Sequence, residues 1–531
     1  MGTRASCWAI TAALVASATA SADNPQVLRR GAFGEPQSLD PDRSGVVSEL
    51  AIVMDLFEGL TTFDAAGRVV PGQAESWHAS ENGLRYTFSL RPNLRWSDGT
   101  PLTSADFLYS FRRTLAPATR STQAERLAIF HNGWAVLRGE LAPVELGVTA
   151  PSPDQLVIEL EHPVTRLPLL LAYSEGFPLP RHTIEALGEN WRAPGRMVSN
   201  GPFTLAQRNP HDRVVLKKNP HYYAEASVKL DHIIYFPSDA LATSVQRFRA
   251  EELDFNAWPG FLPRQEEFLR RQLGDAVRVS PLLIVAYLRF NLRRPMLQDP
   301  RVRRALSTSI DRQILASRVL GGGEQPAMGV VPPTVSDYHS PALAGPEAPR
   351  EQRLKLAQQL LHEAGYSVGQ PLRLTLRYPS GQGREICVAV QAMWRDLPVA
   401  ITIENSEVKS MIADLRRGDF DLALTGALDG DDPERFLDRL LPDSSYNTGR
   451  YDSADFVALM QAAKHTADPT HRARLLQQAE TVVLADAPVI PLYYGVSRNL
   501  VAPHLAGFED NPADIHLSRY LQLEPNRENY P

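Results

Sequence analysis

Two charged residues, Asp429 and Arg384, stand where they could contact a ligand. In residues 429–433, Pro433 suits the first turn of a helix and Asp432 suits the position that caps its start. Asp429 is thereby left without a capping role, and Arg384 stands at the start of another predicted helix. The alternative interpretation of both is a solvated surface residue.

The sequence contains no recognisable catalytic or metal-binding motif. No Gly-x-Ser-x-Gly, His-Glu-x-x-His or Cys-x-x-Cys pattern occurs, and the 13 histidines are scattered. His465 and His471 are six residues apart and do not share a helical face. Residues 429–434 lack the glycine at the sixth loop position and the later bidentate glutamate of a calcium loop. These observations argue against an enzyme and against a metal site.

Hydrophobic periodicity between residues 350 and 441 predicts the elements that position Asp429 and Arg384. Helices are predicted over 351–364, 384–397 and 408–417, and strands over 372–378, 399–403 and 420–425. This β-α-β-α-β order implies parallel strands with right-handed crossovers, whose ligands sit beyond the carboxyl ends of the strands. Because Arg384 follows the first strand and Asp429 the third, we expect both at the same edge of the sheet.

Further elements are predicted nearer the N-terminus. Residues 49–60 have a helical pattern, and a helix is predicted to begin near Ser104. Tyr86, Phe88 and Leu90 alternate with polar residues, which predicts a strand over residues 86–96.

The length and composition are those of a globular protein with several domains. A chain of 531 residues exceeds the roughly 250–300 residues that one hydrophobic core can organise. Hydrophobic residues at 43% and charged residues at 22% argue against disorder and against a polytopic membrane protein. The net charge of −6, without a long basic run, argues against nucleic acid as a partner.

The first 22 residues have the pattern of a secretory signal peptide. Arg4 precedes an apolar stretch over residues 7–16, and small residues follow at 18–22. Cys7 stands at the beginning of the apolar stretch rather than after it, so it is not placed as a lipid-anchored cysteine, and Cys387 is the only other cysteine. No later segment offers 18 uninterrupted apolar residues. The sequence predicts an exported protein that is free in the periplasm and does not span the membrane.

Several separated stretches resemble the family 5 extracellular solute-binding proteins, most closely the oligopeptide-binding OppA branch. The most specific stretch, residues 74–107, includes Ala74-Glu75-Ser76-Trp77 and Trp96-Ser97-Asp98-Gly99-Thr100-Pro101. Supporting matches lie at residues 37–41, 55–60, 200–203, 310–312, 443–451 and 491–494. Because these matches occur in order over essentially the whole chain after residue 22, chance agreement does not account for them.

The resemblance implies the α/β fold of a class C periplasmic binding protein, with two lobes, three domains, mixed sheets with β-α-β-α-β units and a hinge-closing cleft. It implies a discontinuous domain I (residues 23–66, 195–286 and 497–531), domain II (67–194) and domain III (287–496). Domains I and II would form one lobe, joined to domain III by two chain crossings near residues 284–290 and 494–498. A ligand that contacts both lobes would stabilise the closed form, and a membrane permease complex would recognise that form.

The resemblance also implies the ligand. In the peptide-binding relatives an aspartate beyond a domain III strand pairs with the α-ammonium group, and Asp429 falls on that position. A carboxylate is needed there because an unpaired buried charge is costly, while the peptide backbone would bind as an added strand. Val47 falls on another ligand-contacting position. The implied function is a periplasmic receptor that captures short peptides between two lobes and delivers them to an inner-membrane ABC importer.

The sequence departs from these relatives around the expected site. Gly426, Ala427 and Leu428 replace a longer segment with a tryptophan and a cysteine, so the adjacent pocket must differ. Three positions that bind peptide carboxylates in the relatives are Ser307, Leu424 and Arg384 here, and only Arg384 is cationic. The other predicted ligand contacts are Gln123, Trp258 and Tyr493. We expect Asp429 still to bind the α-ammonium group of the ligand. We expect binding of the ligand's carboxylate to be restricted to a narrower set of peptides than in the relatives.

Other functions stay open at this point. The altered pocket also fits a receptor of the same fold for a murein peptide, an opine or a nickel chelate, and a secreted hydrolase is a less favoured alternative from another class. The resemblance implies a monomer without cofactor, bound metal or catalytic residues. Its partners would be the peptide and an ABC permease complex with its ATPase subunits.

Overall fold

The computed structural model describes residues 25–524 except 45–46, 258, 344, 346 and 381–382, and it describes the backbone but not the side chains of residues 47 and 48. The predicted signal peptide, residues 1–22, lies outside the described residues, as do Trp258 and residues 525–531.

The strands alternate with helices along most of the chain. Strands β1 to β19 are, in chain order, Val27–Phe33, Thr61–Phe63, Val69–Pro71, Ala74–Ala79, Arg85–Leu90, Val148–Ser152, Gln155–Glu159, Phe203–Asn209, Arg213–Lys218, His232–Ser238, Phe255–Asn256, Val277–Phe290, Gln325–Pro326, Leu372–Pro379, Val399–Ser406, Leu422–Leu428, Val489–Val501, Leu505–Ala506 and Gln522–Leu523.

The α-helices of five or more residues are labelled α1 to α13. In chain order they are Val47–Leu56, Ser104–Leu115, Gly133–Leu137, Arg181–Leu187, Leu241–Arg249, Glu266–Leu273, Pro300–Thr308, Arg350–Glu363, Arg384–Met393, Val408–Arg417, Pro433–Leu437, Ala454–Lys464 and Pro469–Asp486.

One mixed sheet runs through the molecule. Within the described residues it has 11 strands, ten of them in the order β15-β14-β16-β12-β17-β11-β1-β10-β9-β8, with β13 paired to β17. The long antiparallel pair β12 and β17 lies in the middle of this order. A separate antiparallel sheet has the order β4-β5-β7-β6.

The predicted β-α-β-α-β unit is confirmed. Strand β14 pairs in parallel with β15 on one side and with β16 on the other, and α9 and α10 form the two connections. In β14, Leu372, Leu374 and Leu376 are buried while Arg373 is exposed, as alternation requires. The carboxyl ends of β14 and β16 therefore lie at one edge of the sheet.

Several predicted elements end earlier than their apolar pattern suggested. Helix α1 ends at Leu56 rather than at residue 60. The prediction extended it too far because Phe57 and Leu60 are apolar and buried although they lie in the connection that follows. The strand predicted over residues 86–96 ends at Leu90, and Trp96 is buried within a turn. Helix α9 ends at Met393 rather than at residue 397. The predicted elements were too long because the apolar pattern continues into loops whose side chains are also buried.

Buried apolar side chains form separate cores in two parts of the chain. The largest core combines residues between Leu28 and Phe255 with residues between Val501 and Leu521. Two other cores draw all their buried residues from 283–494. We call residues 25–277 and 500–524 lobe 1, and residues 283–494 lobe 2. The chain passes between the lobes twice, through β12 and through β17.

None of the helices in the described part of the chain combines the length and the apolar character needed to cross a membrane.

Candidate ligand-binding site between the lobes

A cavity of about 640 Å³ lies between the lobes and is lined by both of them. Lobe 1 contributes residues within 122–134 and 162–173, and lobe 2 contributes residues within 429–446 and 460–464. Apolar and aromatic side chains form part of each wall: Ile129, Trp134, Leu169, Leu170 and Tyr173 from lobe 1, and Leu441, Tyr446 and Met460 from lobe 2. The cavity is thus an amphipathic space that a ligand in contact with both lobes would fill.

Asp429 lines this cavity and immediately follows β16. The next helix, α11, begins at Pro433, and the Asp432 carboxylate caps it by accepting a hydrogen bond from the Glu434 backbone N–H at 3.1 Å. This confirms the predicted cap. The Asp429 side chain has no part in that cap, and only 5% of it is exposed.

The Asp429 carboxylate is held by two arginines of the same lobe. Its Oδ1 accepts a hydrogen bond from Arg435 Nε at 2.6 Å, and its Oδ2 accepts one from Arg439 Nη2 at 3.0 Å. Burial alone would raise the pKa of Asp429, but the attraction of the two guanidinium groups outweighs it and holds this pKa below its usual value. Asp429 is therefore an ionised carboxylate with its charge already compensated.

The second arginine is itself positioned by an aromatic side chain. The Arg439 guanidinium lies over the Tyr446 ring, 4.3 Å from its centroid. Arg435 and Arg439 are four residues apart, and α11 and the single turn Asp438–Leu440 carry both back toward the loop that precedes the helix.

Contacts across the cavity mouth hold the lobes together. Arg166 of lobe 1 donates through Nη2 to the Ser336 carbonyl oxygen of lobe 2 at 2.7 Å and through Nη1 to the Asp431 carbonyl oxygen. Its Nη1 also lies 3.4 Å from Asp431 Oδ2. Gly430 faces lobe 1 so closely that an added Cβ would lie 3.6 Å from the Tyr173 hydroxyl oxygen. Arg166 and Gly430 thus bring the two lobes into contact beside the cavity.

Two titratable groups of the lining have shifted pKa values. Burial lowers the pKa of His162 to about 4, and Lys464 across the gap adds to the effect, so the imidazole is neutral at neutral pH. Burial raises the pKa of Asp438 to about 7, and the neighbouring Asp432 carboxylate contributes. The cavity therefore has fewer charges at neutral pH than its residue types suggest.

Of the predicted ligand-binding residues, Asp429 alone appears among the described residues that line this cavity. Gly426, Ala427 and Leu428 are the last three residues of β16, where they pair with residues 284–286 of β12. Arg384 is the exposed first residue of α9 and lies outside this lining.

The remaining predicted contacts lie elsewhere or outside the described part. Gln123 donates through Nε2 to the Ser44 carbonyl oxygen at 2.8 Å, beside Thr122 of the lining. Tyr493 lies in β17 opposite Pro326, and burial raises the pKa of its hydroxyl to about 12. The side chain of Val47 and the whole of Trp258 are not described. The roles of all these residues stay predictions.

Sequence reasoning missed the arginines of the site. The four-residue spacing of Arg435 and Arg439 directly after a helix cap was a usable signal, because it places both side chains near the preceding loop. Arg166 had no such signal, since Asp431 lies 265 residues away in the chain.

Two α/β lobes, joined by two adjacent strands and lining a shared cavity, define a two-lobed binding protein. A sequence model described as "Bacterial extracellular solute-binding proteins, family 5 Middle" matches residues 68–448. The chain belongs to the family 5 extracellular solute-binding proteins.

Relatives cover nearly the whole chain. The probable deoxycholate-binding periplasmic protein YgiS of Escherichia coli (strain K12) is 35% identical over 525 residues, which are 97% of this chain and 97% of the relative. The periplasmic oligopeptide-binding protein OppA of the same organism is 34% identical over 509 residues, with 94% and 92% coverage. The solved structure of the Escherichia coli murein tripeptide-binding protein MppA matches with a TM-score of 0.81 and 31% identity, covering 94% of this chain and 99% of that one.

These similarities confirm the predicted family and the predicted two-lobed class of fold. They also confirm the general expectation that the chain is a solute-binding receptor. The family and these relatives are binding proteins.

Proposed function

We propose that this protein is a periplasmic receptor that captures short peptides between its lobes and delivers them to an inner-membrane ABC importer. The observation that carries the proposal is the cavity lined by both lobes and bridged by Arg166. A ligand that touches both walls binds the closed form better than any open form, so it shifts the population toward closure. Closure is then the signal that a permease complex with its ATPase subunits recognises.

A peptide is the ligand class that the comparisons favour. OppA is named for oligopeptides and MppA for murein peptides, and both relatives are described as periplasmic. A cavity of about 640 Å³ is within the range of roughly 300–1,000 Å³ that holds a drug-sized ligand, which is the size class of a short peptide. A receptor that hands on its ligand unchanged needs no catalytic group, and we propose that it acts as a monomer without enzymatic activity.

The three-domain division is part of the same proposal. Domain I would comprise residues 23–66, 195–286 and 497–531, domain II 67–194 and domain III 287–496. Separate buried cores on either side of residues 278–282 and 495–499 support a lobe boundary there. The separate four-stranded sheet β4-β5-β7-β6 supports a distinct domain II.

The ligand can be identified directly. The mature protein would be purified from periplasm without denaturation and then unfolded, and the released molecules would be analysed by mass spectrometry. We expect peptides of about three to five residues, and calorimetry with the same synthetic peptides should reproduce binding. Release of only non-peptide solutes, together with no binding by a mixed peptide library, would show the proposed ligand class to be wrong.

A further inference from the structure

The compensated charge of Asp429 changes what this part of the cavity can bind. One carboxylate is paired with two guanidinium groups, so this cluster carries one net positive charge. An incoming ammonium group would have to approach two cations and displace at least one of them from Asp429. A carboxylate would meet no such obstacle.

Both arginines keep unused hydrogen-bond donors. Arg435 uses Nε for Asp429, and its Nη1 and Nη2 have no hydrogen-bond partner in the described part of the chain. Arg439 uses Nη2 for Asp429 and for the Leu428 carbonyl oxygen, and its Nη1 has no hydrogen-bond partner among the described residues. A guanidinium presents its donors in a rigid fork that matches the two oxygens of a carboxylate.

The Glu175 and Asp432 carboxylates attract Arg435 electrostatically, but within the described residues neither accepts a hydrogen bond from it. The Glu434 carboxylate forms an ion pair with Arg472, which also lies 3.7 Å from Asp432. Asp438 is partly protonated near neutral pH, because burial raises its pKa to about 7.

The opposite wall adds a third arginine and an apolar surface. Arg126 of lobe 1 lines the same cavity and pairs with Glu175 at 2.8 Å, while 41% of its side chain remains exposed. Beside it lie apolar side chains of the same lobe, Ile129, Trp134 and Leu169. An acidic group in the gap would thus face arginines from both lobes while its apolar neighbour packs on lobe 1.

We propose that Arg435 and Arg439 bind a carboxylate of the ligand, that Asp429 holds these two arginines in place, and that the ligand is an acid with a partly apolar body. This inference rests on the proposed function for its choice of a peptide, whose C-terminus or acidic side chain would supply the carboxylate. The same chemistry could come from a steroid acid, such as the ligand for which YgiS is named.

The end groups of a peptide library test the inference. Four probes would be compared by calorimetry on the mature, ligand-stripped protein: a mixed tri- to pentapeptide library without Asp or Glu, the same library N-acetylated, the same library C-amidated, and deoxycholate. We expect the free and acetylated libraries to bind similarly and the amidated library to bind at least about tenfold more weakly. Adding one Glu to the amidated peptides should restore binding.

Three variants and a control assign the effect to residues. Arg435→Gln and Arg439→Gln should each weaken binding of the acetylated library by about tenfold or more. Asp429→Asn should weaken that binding less than either arginine variant does, because it keeps both cations and weakens only the contacts that hold them in place. The exposed Arg416 of α10 provides the control Arg416→Gln, which should change nothing.

The outcomes separate the inference from the proposed function. Loss of binding on acetylation but not on amidation, or loss in Asp429→Asn alone, would overturn the inference and restore the ammonium role of Asp429. Binding of deoxycholate but of no peptide, abolished by Arg435→Gln, would overturn the peptide proposal and leave the inference standing. Binding by none of the probes, or equal binding by all variants, would overturn the inference.

Discussion

The bridge formed by Arg166 allows a quantitative test of lobe closure. Its guanidinium reaches from lobe 1 to the carbonyl oxygens of Ser336 and Asp431 in lobe 2 and lies near the Asp431 carboxylate. Opening the lobes must break all three contacts at once. We predict that Arg166→Ala weakens ligand binding by destabilising the closed form, without lowering the stability of either lobe.

The size of the effect follows from the contacts. Each hydrogen bond from a charged donor contributes about 1.5–3 kcal/mol when buried. The Arg166 and Asp431 side chains are 22% and 30% exposed, so water screens the bridge and reduces this contribution. A loss of about 2 kcal/mol for the closed form corresponds to an increase of roughly 30-fold in Kd.

The assay is calorimetry with the ligand recovered from native protein, combined with stopped-flow dissociation. Because the bridge forms after the ligand has entered, most of the change should appear as faster dissociation rather than slower association. Small-angle scattering of the ligand-free variant should show a radius of gyration equal to or larger than that of the wild type.

A matched control lies on the same lobe. Arg138 pairs with Glu140 on the surface of lobe 1, and within the described residues it forms no hydrogen bond or ion pair with lobe 2. Arg138→Ala should leave both Kd and dissociation rate unchanged. If Arg166→Ala kept the wild-type Kd within about threefold and the wild-type dissociation rate, closure would not depend on this bridge.

Two further predictions concern the stability of lobe 2. The Glu480 carboxylate is fully buried and accepts hydrogen bonds from two backbone N–H groups and from the Tyr338 hydroxyl, so Glu480→Ala should lower the free energy of unfolding by about 3 kcal/mol or more in urea denaturation. A loss below about 1 kcal/mol would contradict this reasoning. Burial raises the pKa of Asp438 from 3.8 to about 7, so its contribution to stability, of the order of a few kcal/mol, is fully present below about pH 4 and is lost as the pH rises from there to about 7. Asp438→Asn should therefore show a smaller fall in melting temperature between pH 5 and pH 8 than the wild type, and an identical fall in both proteins would refute the assignment.

The β-α-β-α-β unit of lobe 2 was predictable because its information is local. Helix α10 has the predicted bounds, and β14 shows the alternation of buried and exposed residues that identified it. The cap formed by Asp432 was predictable for the same reason, since Pro433 follows it directly. The ends of α1 and α9 were not predictable, because apolar residues such as Phe57 and Leu397 are buried in the connections beyond them.

The site itself was predictable only in part. The topology predicted that Asp429 lies at the carboxyl edge of the sheet, and Asp429 follows β16 and lines the cavity that we propose as the site. The four-residue spacing of Arg435 and Arg439 indicates that the two side chains share a helix face, but it does not reveal that both bind Asp429. The bridge from Arg166 to Asp431 joins parts of the chain that meet only when the lobes are assembled.

The continuous central sheet constrains how this receptor can move. The two lobes share the ribbon of β12 and β17, and its regular pairing is interrupted between Pro281 and Val285 and between Ala286 and Tyr287. Each interruption disrupts the hydrogen bonding between the two strands locally while the pairing continues on both sides. The ribbon therefore bends and twists most at these two places. A transporter that docks on both lobes would therefore respond to the angle between them, which this two-stranded ribbon sets. Substitutions in residues 281–287 should change that angle, and with it transporter binding, without contacting the ligand.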